Sequence, residues 1–371
     1  MEKHLHIVCH TVPYPANFGG VIDLFYKIRH LAALNVKIYL HCFDYGRGQS
    51  KELEKYCVEV NYYKRKNIFF GFSFFIPFIV NSRNNPTLFK RLLKDRYPII
   101  FEGIHSTYFV YKDLLKDRKI LVRLANVEYE YYYNQSLAEK SFLKKLYLKF
   151  ESKLLKKYEQ GICNKTKFFT VSKNDESHYK SMGATDIFFL PVFIPFDKVS
   201  INTTKSSFCL YHGDLSVAEN QKSVYFLLDI FKEIHVPFVI AGRNPPSELK
   251  KLAESNDSIC IIANPLNSEM NDLIAKAQIN VIPSFNNTGI KLKFLHALFN
   301  GKHCIVNSST LLDTHFEKIC HTCNSPTEFK EKILELINCE FSEKEINARK
   351  FILNEIFNNE LNAMKLIEAI Y

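Results

Sequence analysis

Tryptophan is missing from the sequence, and no apolar run in its 371 residues reaches the roughly 20 that a membrane-spanning helix needs. The most apolar stretch, residues 68–80 (IFFGFSFFIPFIV), is too short and is interrupted by Gly71, Ser73 and Pro77. A span is thereby excluded. Two readings remain for that stretch: buried core, or an apolar surface facing a lipid-like acceptor or a bilayer interface. The opening residues hold only Glu2 and Lys3 before a short apolar run, with no small-residue cleavage site. No secretory leader is expected, and the cytoplasm is the expected compartment. The ten cysteines follow no framework, which argues against a disulfide scaffold and for reduced thiols. Cys320 and Cys323, with His321 between them and His303 and Cys304 upstream, have metal-like spacing. A zinc site of that kind needs a second well-spaced pair, which the sequence does not supply, so buried thiols and no metal are expected.

Acidic residues are also in deficit. Lys and Arg number 49 against 39 Asp and Glu, a formal charge of +10 that favours anionic partners. Many of the cations sit in a helical-looking stretch, residues 140–157, where Lys144, Lys145, Lys149, Lys153, Lys156 and Lys157 alternate with Leu, Phe and Tyr. That pattern reads either as a solvated amphipathic face or as a peripheral contact with an anionic membrane surface. No nucleic-acid recognition signature accompanies the charge, and nucleic acid is not an expected partner.

With 47% hydrophobic residues, including Phe 32 and Tyr 20, the chain has enough apolar bulk for large cores, and its length suggests two domains. The first opens with a strand at residues 4–9, a Pro- and Gly-bearing loop at 10–20, a helix with apolar positions at Val21, Leu24, Phe25, Ile28 and Leu31, and a strand at 36–42. Strand, glycine loop, helix, strand is the βαβ unit of a doubly wound parallel sheet. Further strands are expected at 98–101, 120–123, 168–171 and 187–190. After a polar linker the alternation restarts, with strands at 208–212, 238–241, 258–262, 279–283 and 304–307. The expected domains are residues 1–192 and 193–350, with a terminal helix at about 351–371 returning to the first.

Chemistry is most legible in residues 283–306 (PSFNNTGIKLKFLHALFNGKHCIV). A strand ends at Pro283, a loop carries Gly289, and the helix that follows holds Lys291 and Lys293 in its first turn. Free N–H groups and the positive dipole end of a helix bind phosphate, and a neighbouring lysine neutralises the second charge of a diphosphate. Two smaller glycine loops, at Gly213 and at Gly242-Arg243, follow equivalent strand ends, and the Arg243 guanidinium can fork two phosphate oxygens. Each glycine loop taken alone reads equally as a tight turn or a helix cap. His105 and Glu128 can orient or deprotonate an acceptor hydroxyl. The alternatives are a core histidine and a structural Glu128–Arg123 bridge.

The order GDLSVAEN (213–220), Gly242-Arg243-Asn244-Pro245 and GIKLKFLHALFNGKHCIVN (289–307) resembles the donor-binding lobe of the retaining GT-B glycosyltransferases, the group one or family four-like enzymes. PYPANFGG (13–20), RLANVEYEYYY (123–133) and VSKNDESHY (171–179) resemble segments of their first domain, so the resemblance spans nearly the whole chain. It implies an α/β GT-B fold, with two Rossmann-like doubly wound domains facing a central cleft, and a hexosyl transfer from a nucleotide sugar to a glycan or lipid-linked acceptor. Retention, no metal and no cofactor beyond the nucleotide-sugar substrate belong to the same implication. The catalytic cations would be Arg243 and Lys293, with His105 and Glu128 on the acceptor side. The donor would be held by Gly19, Gly20, Gly213, Gly242, the run Thr288, Gly289, Ile290 and Lys291, and His296. The chain departs from the family at Thr288 and His296, where the family often has two glutamates. A non-catalytic GT-B-like nucleotide-sugar-binding or scaffold protein, and a sugar-nucleotide epimerase, are the alternative functions.

Overall fold

β1 (Lys3–Cys9) reads KHLHIVC, and its last five residues are all buried. That continuous burial marks a central strand covered on both faces rather than an alternating surface strand. Around it stand β2 (Val36–Asp44), β3 (Glu59–Lys64), β4 (Ile99–Glu102), β5 (Ile120–Leu124), β6 (Lys167–Thr170) and β7 (Ile187–Phe189), every pairing parallel, in the order β3-β2-β1-β4-β5-β6-β7. The helix Gly19–Ala33 buries the five apolar positions that its periodicity selects.

These elements belong to the first of two units in a computed structural model that describes residues 2–254, 256–285, 291–311 and 314–371. The first unit takes the residues up to Pro195 together with Phe357–Tyr371, and the second takes the described residues from Phe196 to Ile356. In the second unit β8 (Cys209–Asp214), β9 (Phe238–Arg243), β10 (Ile259–Ala263), β11 (Ile279–Val281), β12 (His303–Val306) and β13 (His321–Thr322) form a parallel sheet ordered β10-β9-β8-β11-β12-β13. Both sheets are doubly wound and Rossmann-like, and each has a topological switch point, between β1 and β4 in the first and between β8 and β11 in the second. Ligands of open α/β sheets bind outside the carboxyl ends of the strands at such points.

Three details differ from the sequence expectation. β3 and β13 were not anticipated, and both are edge strands; EVNYYK and the two-residue β13 are too polar or too short to carry a strand pattern. The expected terminal helix at about 351–371 is two helices, Glu343–Ile356 and Asn359–Ile370, because Asn358 caps the second by accepting from Leu361 N at 3.0 Å. The last helix packs Ala363, Leu366, Ile367 and Ile370 into the same core as Leu24, Phe25, Ile28 and Leu31 of Gly19–Ala33. Asn359 anchors it further, accepting from Ile194 N at 3.1 Å and donating to Ile194 O at 2.9 Å.

Residues 68–80 divide between the two readings. Ile76, Ile79 and Val80 are buried, whereas Ile68, Phe69, Phe70, Phe74 and Phe75 are exposed, Phe69 at 88% and Phe75 at 86%.

Candidate functional site

Beside the switch point of the second unit, β8 and β9 run in register with Gly213 beside Gly242 and Asp214 beside Arg243. A Cβ on Gly242 would stand 1.9 Å from the Gly213 carbonyl oxygen, so only glycine admits this close approach. Arg243 Nη2 lies 3.4 Å from Asp214 Oδ2, and both side chains are partly exposed. Asp214 is in turn fixed by Ser216, whose N–H and hydroxyl both donate to Oδ1, at 3.1 and 2.6 Å.

The helix Leu292–Asn300 follows β11, and Lys291 is its N-cap residue. Lys293 projects from its first turn and donates through Nζ to the Tyr211 hydroxyl and to Asn220 Oδ1, each at 2.8 Å. The ammonium also sits 4.7 Å from the centre of the Tyr211 ring. Its partners are neutral, and among the described residues it forms no salt bridge. Burial is the main reason that its pKa falls to about 8; Glu219 works against the shift and Lys291 adds to it. Asn220 donates to the Asp214 carbonyl at 2.7 Å, so one chain of contacts joins Lys293, Asn220, Asp214 and Arg243.

His296, on the same helix, lies against Phe196 at 4.9 Å between ring centres and meets the His212 ring edge-on at 5.8 Å. Both histidines have an Nε2 that is buried without a hydrogen-bond partner. Burial holds both neutral, His296 at about 4 and His212 well below the usual range, the latter also through His296 and Lys293. The loop after β11 is tied down by Ser223, which donates to Pro283 O at 2.9 Å, and by Ser284, which donates to Glu219 Oε1 at 2.7 Å. Thr288, Gly289 and Ile290 lie outside the described residues.

In the first unit Gly19 and Gly20 open the helix Gly19–Ala33, and the loop before them is pinned by Arg47, which donates to Val12 O at 2.8 Å and to Asn17 Oδ1 at 3.2 Å. His105 follows β4 through Gly103, whose φ of 70° belongs to the left-handed region. Its ring stacks on His10 at 4.7 Å, and its Nε2 lies 3.9 Å from Glu128 Oε2 at the start of the helix Glu128–Ala138. The structure thus brings His105 and Glu128 together at the carboxyl ends of β1, β4 and β5. Burial, then the Glu159 carboxylate, raises the Glu128 pKa to about 8. His105 is pushed well below its usual value by burial and by His10 and Arg83. The Glu128–Arg123 bridge is not formed. Arg123 instead lies 3.4 Å from Asp23 and donates to the carbonyls of Leu190 and Pro191, because its strand position aims it into the sheet's own core.

Sequence reasoning missed Tyr211, Asn220 and His212, which surround Lys293 and His296, and Arg47. The signal available for the first three was their position, Tyr211 and His212 within β8 and Asn220 on the helix that follows its glycine loop. Among the described residues the metal-like cysteine spacing forms no metal-holding cluster of thiols, and Cys320 donates to the Phe316 carbonyl at 3.1 Å. Among the described residues the groups that converge are His303, His321 and Glu345.

Residues 207–339 match the family model described as "Glycosyl transferases group 1". A Klebsiella pneumoniae protein named "Uncharacterized 44.6 kDa protein in cps region" is 28% identical over 317 residues, 79% of this chain and 80% of that protein. Among solved structures, sucrose-phosphate synthase from Thermosynechococcus elongatus superposes with a TM-score of 0.71 at 12% identity, covering 99% of this chain and 98% of the other. Anabaena Alr3699/HepE in complex with UDP and glucose gives 0.64 at 12% identity, with 99% of both chains covered. At such identities the structural likeness establishes the fold: two Rossmann-like parallel-sheet α/β domains of the GT-B kind.

Proposed function

We propose that this chain, with its glycosyltransferase group 1 domain at residues 207–339, transfers a hexosyl group from a nucleoside-diphosphate sugar to a glycan or lipid-linked acceptor in surface-polysaccharide synthesis. The observation that carries this reading is Lys293: a half-buried, largely desolvated cation in the first turn of a helix at the switch point, held by neutral oxygens. Such a cation is set to receive an anion, and a leaving diphosphate is the anion the reaction makes. Arg243 adds a second positive group, and the unpartnered Nε2 atoms of His212 and His296 are suited to sugar or ribose hydroxyls. The bond from the anomeric carbon to the diphosphate oxygen breaks, and a bond to the acceptor oxygen forms. The acceptor proton leaves with the diphosphate, while His105, kept neutral beside Glu128, is suited to accept a hydrogen bond from an acceptor hydroxyl. Retention and independence of metal are part of the proposal. The Klebsiella relative's cps-region name and the UDP and glucose of the Anabaena structure support the pathway and the donor class.

The acceptor side of the proposal includes docking on an anionic bilayer. The helix Phe142–Ile162 buries residues only in its later turns, from Glu151 onward. Its first turns leave Phe142 and Leu143 exposed at 74% and 77%, flanked by Lys140, Lys144 and Lys149. Phe150 of this helix meets Phe72 and Phe74 at 6.3 and 6.4 Å, which joins the stripe to the exposed phenylalanines of residues 68–75. Apolar side chains ringed by lysines match the acyl and phosphate layers of an anionic leaflet.

A panel of nucleotides and nucleotide sugars, scored by thermal stabilisation and then by product analysis with candidate acceptors, tests the reading. Stabilisation without transfer would favour the binding or scaffold function, and a changed sugar without an acceptor would favour an epimerase.

A further inference from the structure

On β12 and β13, at the far side of the second sheet from the donor loops, two imidazoles and a carboxylate converge. His303, the first residue of β12, is 2% exposed, and its Nε2 is 3.3 Å from the Cys339 carbonyl oxygen. A carbonyl only accepts, so Nε2 carries the ring hydrogen and Nδ1 presents a bare lone pair. That Nδ1 is buried with no hydrogen-bond partner and lies 3.7 Å from Glu345 Oε1. Glu345 is held from its other side: Ser342 donates to Oε2 through both its N–H and its hydroxyl, at 2.8 Å each, leaving Oε1 turned to the histidine. His321 of β13 completes the group, its ring centre 5.5 Å from that of His303. One ligand atom from each of the three residues lies within 4.8 Å of the others.

We propose that His303, His321 and Glu345 form a divalent-metal site, matched best by zinc, that ties the start of the helix Glu343–Ile356 to the edge strand β13. Two imidazoles and one carboxylate are a zinc ligand set with a fourth position for water. Metal–ligand bonds of about 2.0–2.2 Å put tetrahedral ligand atoms roughly 3.4 Å apart, so from separations of at most 4.8 Å a closure of up to about 1.4 Å completes the site. Two of the three residues can supply it, because His321 stands on a two-residue edge strand and Glu345 is partly exposed. The outer contacts are already those of a metal site: a carbonyl fixes the His303 tautomer and a serine fixes the carboxylate. The unpartnered, buried Nδ1 of His303 offers a lone pair that no protein donor uses. The neighbouring charges are mixed. Arg349, Lys302 and Lys332 oppose a cation and help to keep both histidines neutral, alongside burial, while Glu345 and Glu335 favour it. Arg349 is engaged with the carbonyls of Ile319 and Gly301, its guanidinium over the Phe341 ring.

The test is zinc binding by the full chain after chelator treatment and reduction, measured by competition with a chromophoric chelator, with cobalt substitution as the spectroscopic check. The expected result is one equivalent bound, weakened at least tenfold in both His321→Ala and Glu345→Gln, with a cobalt spectrum free of thiolate charge transfer. Glutamine can retain the contacts to Ser342, so Glu345→Gln keeps the helix cap if the alanine variant folds poorly. No binding at one equivalent, binding indifferent to both substitutions, or a thiolate band would each overturn the site. The readout is metal binding itself and does not depend on the transferase reading.

Discussion

Lys293 Nζ and the Tyr211 hydroxyl stand 2.8 Å apart, joining the helix after β11 to the middle of β8 across the switch point. The contact aims a desolvated ammonium without neutralising it. Replacing Lys293 with alanine is expected to cut transfer about 10²–10³-fold, the usual loss when one stabiliser of a developing anion is removed. Turnover measured at saturating donor checks this, with circular dichroism to establish that the fold survives. Tyr211→Phe keeps the ring and loses only the hydroxyl, and should show a smaller loss.

The same lysine sets an upper pH limit on donor binding. Its pKa is pushed down to about 8, so raising the pH through 8 removes the charge and should weaken nucleoside-diphosphate affinity. Stability moves the other way. Between about pH 8 and the unfolded value of 10.5 the unfolded chain binds more protons at this position, so the group's contribution to stability rises with pH across that window. Calorimetric titration of a nucleoside diphosphate from pH 7 to 9.5 would expose the first effect, and Lys293→Arg, which stays charged, should flatten it.

Glu128 gives a signature at lower pH. Its pKa is raised to about 8, so between about 4.5 and 8 the folded state holds a proton that the unfolded state has lost, and stability should fall as pH rises. The slope for one such proton is about 1.4 kcal/mol per pH unit. Glu128→Gln is expected to flatten the denaturation profile between pH 5 and 8 and to raise stability at neutral pH. A profile parallel to that of the unsubstituted protein would sink the assignment.

Gly242→Ala should destabilise the second unit by about 1–3 kcal/mol or more, since the new methyl group meets backbone rather than a movable side chain. Gly213→Ala meets the Asn220 amide nitrogen at 3.3 Å and should be milder for stability, while disturbing a partner of Lys293. Melting temperatures for stability and donor affinities for the site separate the two effects.

Sedimentation with vesicles tests the bilayer contact. Phe69 and Phe75 are so exposed that Phe→Ser at both should leave the fold intact, yet each buried phenylalanine is worth about 1.5–3 kcal/mol of apolar transfer. Binding to anionic vesicles is expected to drop more than tenfold in the double variant and to weaken with salt. Equal binding to neutral vesicles would remove the role of the lysines, and a concentration-dependent dimer abolished by the same substitutions would reassign the patch to a second copy of this chain.

The alternation of strand and helix was legible because buried parallel strands such as β1 and β8 carry apolar clusters, residues 7–9 and 208–211, that run into glycine- or proline-bearing loops. β3 and β13 were not, since one is half polar and the other only two residues long, and nothing local distinguishes them from loop. Lys293 and Arg243 were visible as cations beside glycine loops. Tyr211, Asn220 and His212 were not, because their part depends on side chains that converge from residues far apart in the sequence. Arg123 shows the limit of proximity in sequence: five residues from Glu128, it pairs with Asp23 a hundred residues away.

The packing of Asn359–Ile370 against Gly19–Ala33 has a temporal meaning. On the ribosome the apolar stripe of Gly19–Ala33 can pack against β1 and β2 early, but the entire second unit must be synthesised before Ala363, Leu366, Ile367 and Ile370 exist to complete that core. One core of the first unit is therefore completed only after the second unit has been made, which leaves the nascent chain a partly covered hydrophobic seam, a natural point for a chaperone to bind.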